Sequence, residues 1–447
     1  ATSFSNNTAL DGGAIYNGNG DLTINNSTFT NNSSSKYNGG AIYTYVSAGE
    51  SLITIDGSTF SNNMAKTNQG GNGGAIYNMT HGAGTAQLTV SNSIFDTNSG
   101  FEGGAIYNFD EGSGNNVLAI SASNFTNNTA MADGGAIYGG IISIADSTFR
   151  KNIAIGIGGS GGAVASYYML NANVNALYQL DITDCSFVSN SSTHGAAVVN
   201  DGLSRIKNST FSDNTQGPAI QNGYISPGGE SLVIDNSNFD SNANNGGLLF
   251  KKGGAILNRH ATILLQNSTF QDNSSDNGGA IYNDHGNVSI NNSNFTDNSS
   301  LASGGAIYND VQSLLGVFSS TFTGNVSLLS GGAIENNEYA YIITSTFTGN
   351  SAQYGGGIST HTTAGYNSDL TIQNSTFSDN YGAESGSDII TDKTSVTITS
   401  STFRNTVALS GSSLWADGKM YLAQTLLASS NPGFSNCAVG GGSIQDW

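Results

Sequence analysis

The chain has 447 residues, with 12 Lys and Arg against 31 Asp and Glu, so its net charge at pH 7 is −19. A negative excess of this size repels a phosphate backbone and an anionic membrane surface, so we expect no nucleic-acid partner. No apolar run approaches the roughly 20 residues of a spanning helix, and we expect no direct membrane insertion by this segment. Its two cysteines, Cys185 and Cys437, are too few for a disulfide framework.

A phenylalanine followed three residues later by an asparagine recurs fourteen times along the chain. The first two copies are 25 residues apart, at Phe4 and Phe29. The full set is Phe4, Phe29, Phe60, Phe95, Phe125, Phe149, Phe187, Phe211, Phe239, Phe270, Phe295, Phe322, Phe347 and Phe377. Internal repeats with a period of 20 to 50 residues are typical of solenoids, propellers and arrays.

A second signature, Gly-Gly-Ala-Ile, alternates with the first. Intact copies lie at 12–15, 39–42, 73–76, 103–106, 134–137, 253–256, 278–281, 304–307 and 331–334. A short β-rich stretch such as LTINNSTF (22–29) precedes each phenylalanine. Comparison of the copies predicts which side chains face inward. The fourth motif position is always aliphatic, whereas the next position varies from Tyr16 to Glu335. Strand alternation therefore places the aliphatic residue inside and the tyrosine position outside.

A repeat of about 25 residues with three short strands and Gly- and Asn-rich turns predicts one coil of a parallel β-helix. Stacked coils lie about 4.8 Å apart, so Phe is expected to stack on Phe and Ile on Ile. We expect the Asn of the FxxN motif to turn a corner in the left-handed region and to form an amide ladder. We expect the paired glycines to supply a positive φ or a close backbone approach.

The predicted fold class is therefore all-β, a single-stranded parallel β-helix of about 16 coils, in one repeat domain over residues 1–447. Phe4 begins inside one coil and GGSIQDW (441–447) closes inside another, so both ends appear uncapped in the pattern. Solenoids need covered ends. We expect the chain to be a segment of a longer protein or a subunit whose ends another copy covers.

The alternating GGA(I/V/L) and FxxN motifs resemble the repeat of the polymorphic outer membrane protein family, and the likeness extends over about 4–444. This resemblance implies a right-handed β-helical passenger on a cell surface, often in autotransporters, that acts in adhesion. The family's C-terminal membrane β-barrel has no counterpart in this sequence. The resemblance therefore covers the repeat region only.

Insertions into the coils are the first place where we expect binding, since loops at one edge of a solenoid often bind partners. The longest is SYYMLNANVNALYQL (166–180). Its candidate binding residues are Tyr167, Tyr168, Met169 and Tyr178. The alternative is that this loop covers the coil beneath it.

A stripe of outward tyrosines is the second candidate, because aromatic stripes stack on sugars or on protein partners. Its candidate binding residues are Tyr16, Tyr43, Tyr77, Tyr107 and Tyr138. The alternative is that neighbouring rings cover one another by cross-strand packing.

An enzymatic role is a weaker hypothesis. Polysaccharide lyases and hydrolases with this fold need convergent acids, whereas Asp213, Asp272, Asp297 and Asp379 recur singly before the motif Asn. The five histidines share no register, so we predict no catalytic residues, no metal site and no cofactor.

The sequence favours a non-enzymatic extracellular or cell-surface adhesin or display stalk. Its expected partner is a protein or glycan of a host or neighbouring cell. The alternatives are a filament subunit that associates end to end and a polysaccharide lyase or hydrolase.

Overall fold

The computed structural model describes residues 1–66, 70–111, 116–167, 179–223, 231–246, 251–362, 368–405, 412–429 and 436–446. It divides into two compact units, Ala1–Leu232 and Val233–Trp447. In the described residues every regular element is a β-strand. The prediction of one repeat domain over residues 1–447 stays a prediction.

Each coil contributes a short strand centred on its motif phenylalanine, except that Leu427 occupies this position after Phe403. In the first unit these strands are Ser3–Ser5, Thr28–Thr30, Thr59–Ser61, Ile94–Asp96, Asn124–Thr126, Thr148–Arg150, Ser186–Val188 and Thr210–Ser212. In the second unit they are Asn238–Asp240, Thr269–Gln271, Asn294–Thr296, Thr321–Thr323, Thr346–Thr348, Thr376–Ser378, Thr402–Asn405 and Leu426–Ser429.

A second strand begins at the aliphatic end of Gly-Gly-Ala-Ile, and we call it the motif strand. In the first unit the motif strands are Ile15–Gly18, Ile42–Val46, Ile76–Thr80, Ile106–Asp110, Ile137–Gly139, Val164–Tyr167, Val198–Asp201 and Ile220–Asn222. In the second unit they are Ile256–Arg259, Ile281–Asp284, Ile307–Asn309, Ile334–Asn336, Ile358–His361 and Cys437–Val439.

The third strand of the coil follows a turn and leads to the next phenylalanine. In the first unit these strands are Leu22–Asn25, Glu50–Asp56, Thr85–Ser91, Asn116–Ser121, Ile141–Ala145, Leu180–Thr183 and Leu203–Lys207. The next is Ser231–Asp235, which contains the division between the units. The remainder are Thr262–Gln266, Asn287–Asn291, Leu314–Phe318, Tyr339–Ile343, Asp369–Gln373 and Ser443–Asp446. Two long strands, Ile389–Thr399 and Leu414–Ala423, join the second and third positions of their coils.

Short strands also pair along the edge between FxxN and the paired glycines. In the first unit they are Thr8–Ala9, Ser33–Ser34, Ser99–Gly100, Thr129–Ala130 and Ile153–Ala154. In the second unit they are Ser274–Ser275, Ser299–Ser300, Val326–Ser327, Ser351–Tyr354 and Tyr381–Ser385.

Among the described residues the strands pair in parallel and follow the repeat, with register shifts between Ala352 and Tyr354 and between Asp392 and Ser395. Phe60 pairs with Phe95 in the first unit and Phe270 with Phe295 in the second. Their rings are stacked, with centroids 4.8 and 4.7 Å apart and almost parallel planes, and all four side chains are fully buried. The predicted all-β parallel solenoid is confirmed, with about 15 turns against the 16 expected.

The predicted amide ladder is present inside each unit. In the first unit Asn32, Asn63, Asn98 and Asn128 are fully buried, and each side-chain oxygen accepts two hydrogen bonds from the preceding ladder asparagine. Each side-chain nitrogen also donates to a phenylalanine carbonyl, as Asn98 Nδ2 does to Phe60 O at 3.0 Å. Buried amides are satisfied by this arrangement without water.

The expectation that the motif Asn itself adopts the left-handed conformation is wrong. The preceding residue does so, with φ of 54° at Asn62 and 52° at Asp272 and Asp297. The motif Asn must point inward to reach the ladder, so the outward residue before it makes the turn. This explains the frequency of Asn and Asp in that variable position, because both tolerate positive φ.

The paired glycines divide the two roles predicted for them. Gly73 has a φ of +68°, whereas a Cβ on Gly74 would lie 2.0 Å from the carbonyl oxygen of Gly104 in the next coil. The first glycine therefore turns the corner, and the second permits the coils to approach closely.

From Phe29 to Phe403, a small residue two positions before each motif phenylalanine is buried. Ser58 donates its backbone N–H to Ser93 Oγ at 3.1 Å, and its own hydroxyl donates to Asp56 O at 3.0 Å. Cys185 occupies one of these positions, and burial raises the pKa of its thiol to about 11. It is therefore a poor nucleophile at neutral pH.

Candidate binding surface

The motif-strand tyrosines of the first unit form one continuous column. Tyr16, Tyr43, Tyr77, Tyr107 and Tyr138 stack in chain order with centroid separations of 5.1, 5.1, 5.0 and 5.0 Å. The register of the motif strands fixes this spacing, because Tyr77 lies opposite both Tyr43 and Tyr107.

A second apolar column, which the sequence analysis missed, lies beside the first. Three motif strands reach five residues, so a second outward side chain follows each tyrosine: Tyr45, Met79 and Phe109. The signal was present in the sequence, where an apolar residue stands two positions after Tyr43, Tyr77 and Tyr107. We call Tyr43, Tyr45, Tyr77, Met79, Tyr107, Phe109 and Tyr138 the aromatic face; they pack as one cluster.

The rings of this aromatic face cover one another. Tyr77 and Tyr107 are only 6% and 7% exposed, whereas Tyr16 at the start of the column is 64% exposed. The side chains project from the outer side of the sheet, as expected, but mutual stacking removes most of the surface of Tyr77 and Tyr107 from water. Tyr43, Tyr45, Phe109 and Tyr138 remain half-buried.

Burial also raises the pKa of tyrosine hydroxyls in the column. It raises the pKa of Tyr43 to about 12, with a further contribution from the nearby Asp11 carboxylate. It raises the pKa of Tyr77 and Tyr107 as well. The hydroxyls of Tyr43, Tyr77 and Tyr107 are therefore hydrogen-bond donors at physiological pH.

Of the predicted loop residues, Tyr167 is described and Tyr168, Met169 and Tyr178 lie outside the described residues. Tyr167 is 8% exposed, and its hydroxyl donates to Asp133 Oδ2 at 3.0 Å. Its ring packs at a tilt against Tyr138, with centroids 5.5 Å apart. This tyrosine therefore anchors the start of its loop to the column.

Two acids lie beside the same column. Burial, together with the charge of Asp133, raises the pKa of Glu102 to about 7. Burial raises the pKa of Asp133 as well, against hydrogen bonds from Ser160 and Tyr167 that lower it. Glu102 and Asp133 are also close enough to raise the pKa of Tyr138, after burial as the main cause.

The second unit has a different, charged version of this surface. Tyr282 and Tyr308 stack with centroids 4.8 Å apart, and the next position holds Glu335, whose carboxyl group is fully buried. Glu335 Oε1 lies 2.7 Å from His361 Nδ1. Hydrogen bonding to Glu335 raises the pKa of His361, although burial opposes the shift.

Around Asp284, which lies on the same motif strand as Tyr282, the second unit gathers basic side chains. Asp284 Oδ2 lies 3.2 Å from Arg259 Nε and 3.4 Å from Lys252 Nζ, and Oδ1 lies 2.8 Å from His285 Nδ1. Lys252 Nζ also sits 4.3 Å above the centre of the Tyr282 ring. We call Lys252, Arg259, His260 and His285 the basic corner.

The acids that precede the motif asparagines lie at the corners of their coils. Asp213, Asp272 and Asp297 are exposed at left-handed corners, and Asp379 is half-buried at another. Among the described residues, no group of three or more His, Cys, Asp or Glu side chains has the geometry to hold a metal ion. The same part of the chain contains no helix long and apolar enough to cross a bilayer.

Comparison with known families identifies the repeat. The model of the Chlamydia polymorphic membrane protein repeat matches residues 1–18, 26–45, 57–79, 122–140, 267–284, 292–310 and 344–361. These are repeats of the polymorphic membrane protein type. The matched segments cover less than half of the chain. No curated protein matches this chain, and neither does any solved structure.

The polymorphic membrane protein repeats include much of the candidate surface. The matched segments contain Tyr43, Tyr77 and Tyr138 of the aromatic face, and also Tyr282 and Asp284. The resemblance inferred from the GGAI and FxxN motifs is confirmed.

Proposed function

We propose that this chain is a surface-exposed region of an outer-membrane or cell-surface protein and acts, without catalysis, as an adhesin or display stalk. Its partner is a protein or glycan on a host or neighbouring cell. The seven polymorphic membrane protein repeats and the parallel solenoid support this assignment. The observation that carries it is the aromatic face, which lies partly on those repeats.

The aromatic face has the properties of a contact surface that needs little reorganisation. Each ring is held by neighbours about 5 Å away, so little side-chain entropy remains to be lost on binding. Tyrosine combines a rigid apolar ring with a hydroxyl that forms hydrogen bonds, which is why it is common in binding surfaces. Because the face repeats once per coil, a partner makes several equivalent contacts.

The test is binding of the fluorescently labelled, purified chain to cultured animal cells and to bacterial cells. The double variant Tyr45→Ser with Phe109→Ser removes two half-buried rings from the second apolar column. It leaves the stacked tyrosines of the first column in place. We expect cell binding to fall at least about tenfold, equivalent to about 1.4 kcal/mol.

Tyr341→Ser is the matched control, because Tyr341 is 44% exposed on an outward strand position of the second unit. It should leave binding unchanged. Equal binding by the double variant, with an unchanged thermal midpoint, would remove the aromatic face from the proposal. Absence of binding by the unmodified chain to any cell tested would contradict the adhesin function itself.

A further inference from the structure

The basic corner gathers basic side chains in a strongly acidic chain. Two of the 12 Lys and Arg residues, Lys252 and Arg259, and two of the five histidines, His260 and His285, belong to it. Arg259 and His260 lie at the end of one motif strand and His285 at the end of the next, and these ends stack, so that Arg259 lies opposite Asp284. Lys252 reaches Asp284 from the other side of the motif, just before the paired glycines. The rings of His260 and His285 pack with centroids 5.0 Å apart.

The charges in this corner are layered. The Asp284 side chain is 10% exposed, whereas those of Lys252, Arg259 and His285 are 27%, 39% and 32% exposed. The carboxylate therefore lies inside and orients the cationic groups, which face the solvent. The adjacent cations and His285 also keep the pKa of Asp284 below its usual value, although burial opposes them.

Arg259 retains unused donors. In the described part of the chain its only polar partner is Asp284, which it contacts through Nε at 3.2 Å. Its two Nη groups therefore remain available, and the planar guanidinium fork suits a carboxylate or a sulfate group. Lys252 adds a charge whose position is held by Asp284, by Asp310 at 3.9 Å and by the Tyr282 ring. His260 is exposed beside them.

We propose that the basic corner binds an anionic group, a sulfate or a carboxylate, of an acidic polysaccharide. The net charge of −19 repels a densely charged polymer such as a nucleic acid. A polysaccharide with separated anionic groups places one of them at the corner while its neutral hydroxyls contact the rest of the surface. This inference rests on the proposed adhesin function and supplies a ligand class for it.

The test measures binding of the purified full chain to immobilised polysaccharides that separate the two anions. Hyaluronan carries carboxylates only, keratan sulfate carries sulfates only, and dextran is uncharged. We expect binding to at least one charged polymer, no binding to dextran, and weaker binding at higher salt. The polymer that binds identifies the anion.

Arg259→Gln removes the guanidinium fork and should weaken binding about tenfold, or about 1.4 kcal/mol. Arg205→Gln is the matched control, since Arg205 is 38% exposed but donates through both Nε and Nη2 to Asp181 in the first unit. It should leave binding unchanged. His260→Ser, which breaks no ion pair around Asp284, should also weaken binding.

Equal binding by Arg259→Gln and the unmodified chain would overturn the proposal, as would no binding to either charged polymer. Competition by a DNA oligonucleotide as strong as that by the bound polysaccharide would overturn the glycan assignment. Cell binding that survives without polysaccharide binding would reject this inference and leave the adhesin function standing. Polysaccharide binding that depends on Arg259, without cell binding, would support the anion site and reject the adhesin function.

Discussion

Asn63 and Asn98 are joined by two hydrogen bonds, because the backbone N–H and the side-chain amide of Asn63 both donate to Asn98 Oδ1 at 3.0 Å. One side-chain oxygen thus connects two successive coils through a main-chain and a side-chain donor. Asn98 in turn donates to Asn128 Oδ1, so the contact repeats along the unit. Removing the Asn98 side chain leaves the two Asn63 donors without their acceptor, and Phe60 O and Asn128 Oδ1 each lose a donor.

Asn98→Ala should therefore destabilise the first unit by about 3 kcal/mol, the cost of leaving two or more buried polar groups unsatisfied. Asn127→Gly is the control, because the Asn127 side chain is exposed and glycine accepts its φ of 54°. The shift of the urea midpoint monitored by circular dichroism measures both effects. Equal shifts for the two variants would contradict a structural role for the buried ladder.

Replacement of glycine by alanine should cost more stability at Gly74, which lies against the next coil, than at Gly49, which has no neighbouring atom. In Gly74→Ala the new Cβ meets two backbone atoms, Gly104 O at 2.0 Å and Ser99 N at 2.5 Å, neither of which can move without separating the coils. We expect a loss of about 3 kcal/mol or more.

Gly49→Ala is the comparison, because no atom lies within 4 Å of its Cβ and only the φ of +77° opposes the change. That strain costs about 1 kcal/mol. Thermal midpoints of the two variants compare the effects directly. A larger loss for Gly49→Ala would show that close packing of the coils is not the limiting constraint.

Asp388 should make the stability of the second unit depend on pH. Its carboxyl is fully buried, accepts a hydrogen bond from Asn380 Nδ2 at 2.8 Å, and has its pKa raised by burial from 3.8 to about 7. Because the folded state holds this proton more tightly, the stabilising contribution is complete below pH 3.8 and is lost as the pH rises towards 7. The full effect is at most about 4 kcal/mol.

Asp388→Asn removes this titration. The urea midpoint of the unmodified chain should fall relative to that of the variant between pH 4 and pH 8. The difference between the two proteins isolates Asp388 from the other acids. A constant difference over this range would show that Asp388 is not protonated in the folded state.

The pair of His361 and Glu335 should make the stability of the chain depend on pH above 6.5, the ordinary pKa of histidine. Its pKa is raised by the buried Glu335, so the ion pair contributes fully below pH 6.5 and the contribution is lost as the pH rises through the higher folded value. His361→Gln leaves Glu335 buried without a cation and should destabilise the chain more at pH 6 than at pH 9.

His81→Gln provides the control, since His81 and Glu111 are 3.6 Å apart and both side chains are 54% exposed. Exposed pairs contribute little to stability. The thermal midpoints of both variants and of the unmodified chain, measured at pH 6 and pH 9, give the loss of stability at each pH. An equal loss at pH 6 and pH 9 for His361→Gln would mean that the pair does not titrate as a unit.

Much of the fold was predictable because comparison of the many repeat copies distinguishes constant positions from variable ones. The same inward position is aliphatic in every copy and the next position is variable, and that contrast distinguishes inside from outside without a structure. The ladder was predictable for the same reason, since an amide at one site per coil meets its own kind in the next coil. The left-handed position was assigned one residue too late, because a frequent Asn at both positions gives no signal of which side chain points inward.

The candidate surface was less predictable. The tyrosine column followed from the register, but the second column depends on how far each motif strand continues, which placed Tyr45, Met79 and Phe109 beside it. The basic corner depends on contacts between residues far apart in the chain. Lys252 precedes its paired glycines and Asp284 follows those of the next coil, and nothing in either local pattern indicates that their charged atoms lie 3.4 Å apart.

By itself the sequence determined the coil, its period and its inward residues. Stacking puts each residue against its equivalent in the next coil, and alignment of the repeat copies shows which residues are equivalent. The tertiary structure alone decided which outward side chains are covered and which charges meet. Those properties arise between non-equivalent positions of neighbouring coils, where strand length, turn length and side-chain reach are set by packing rather than by the repeat.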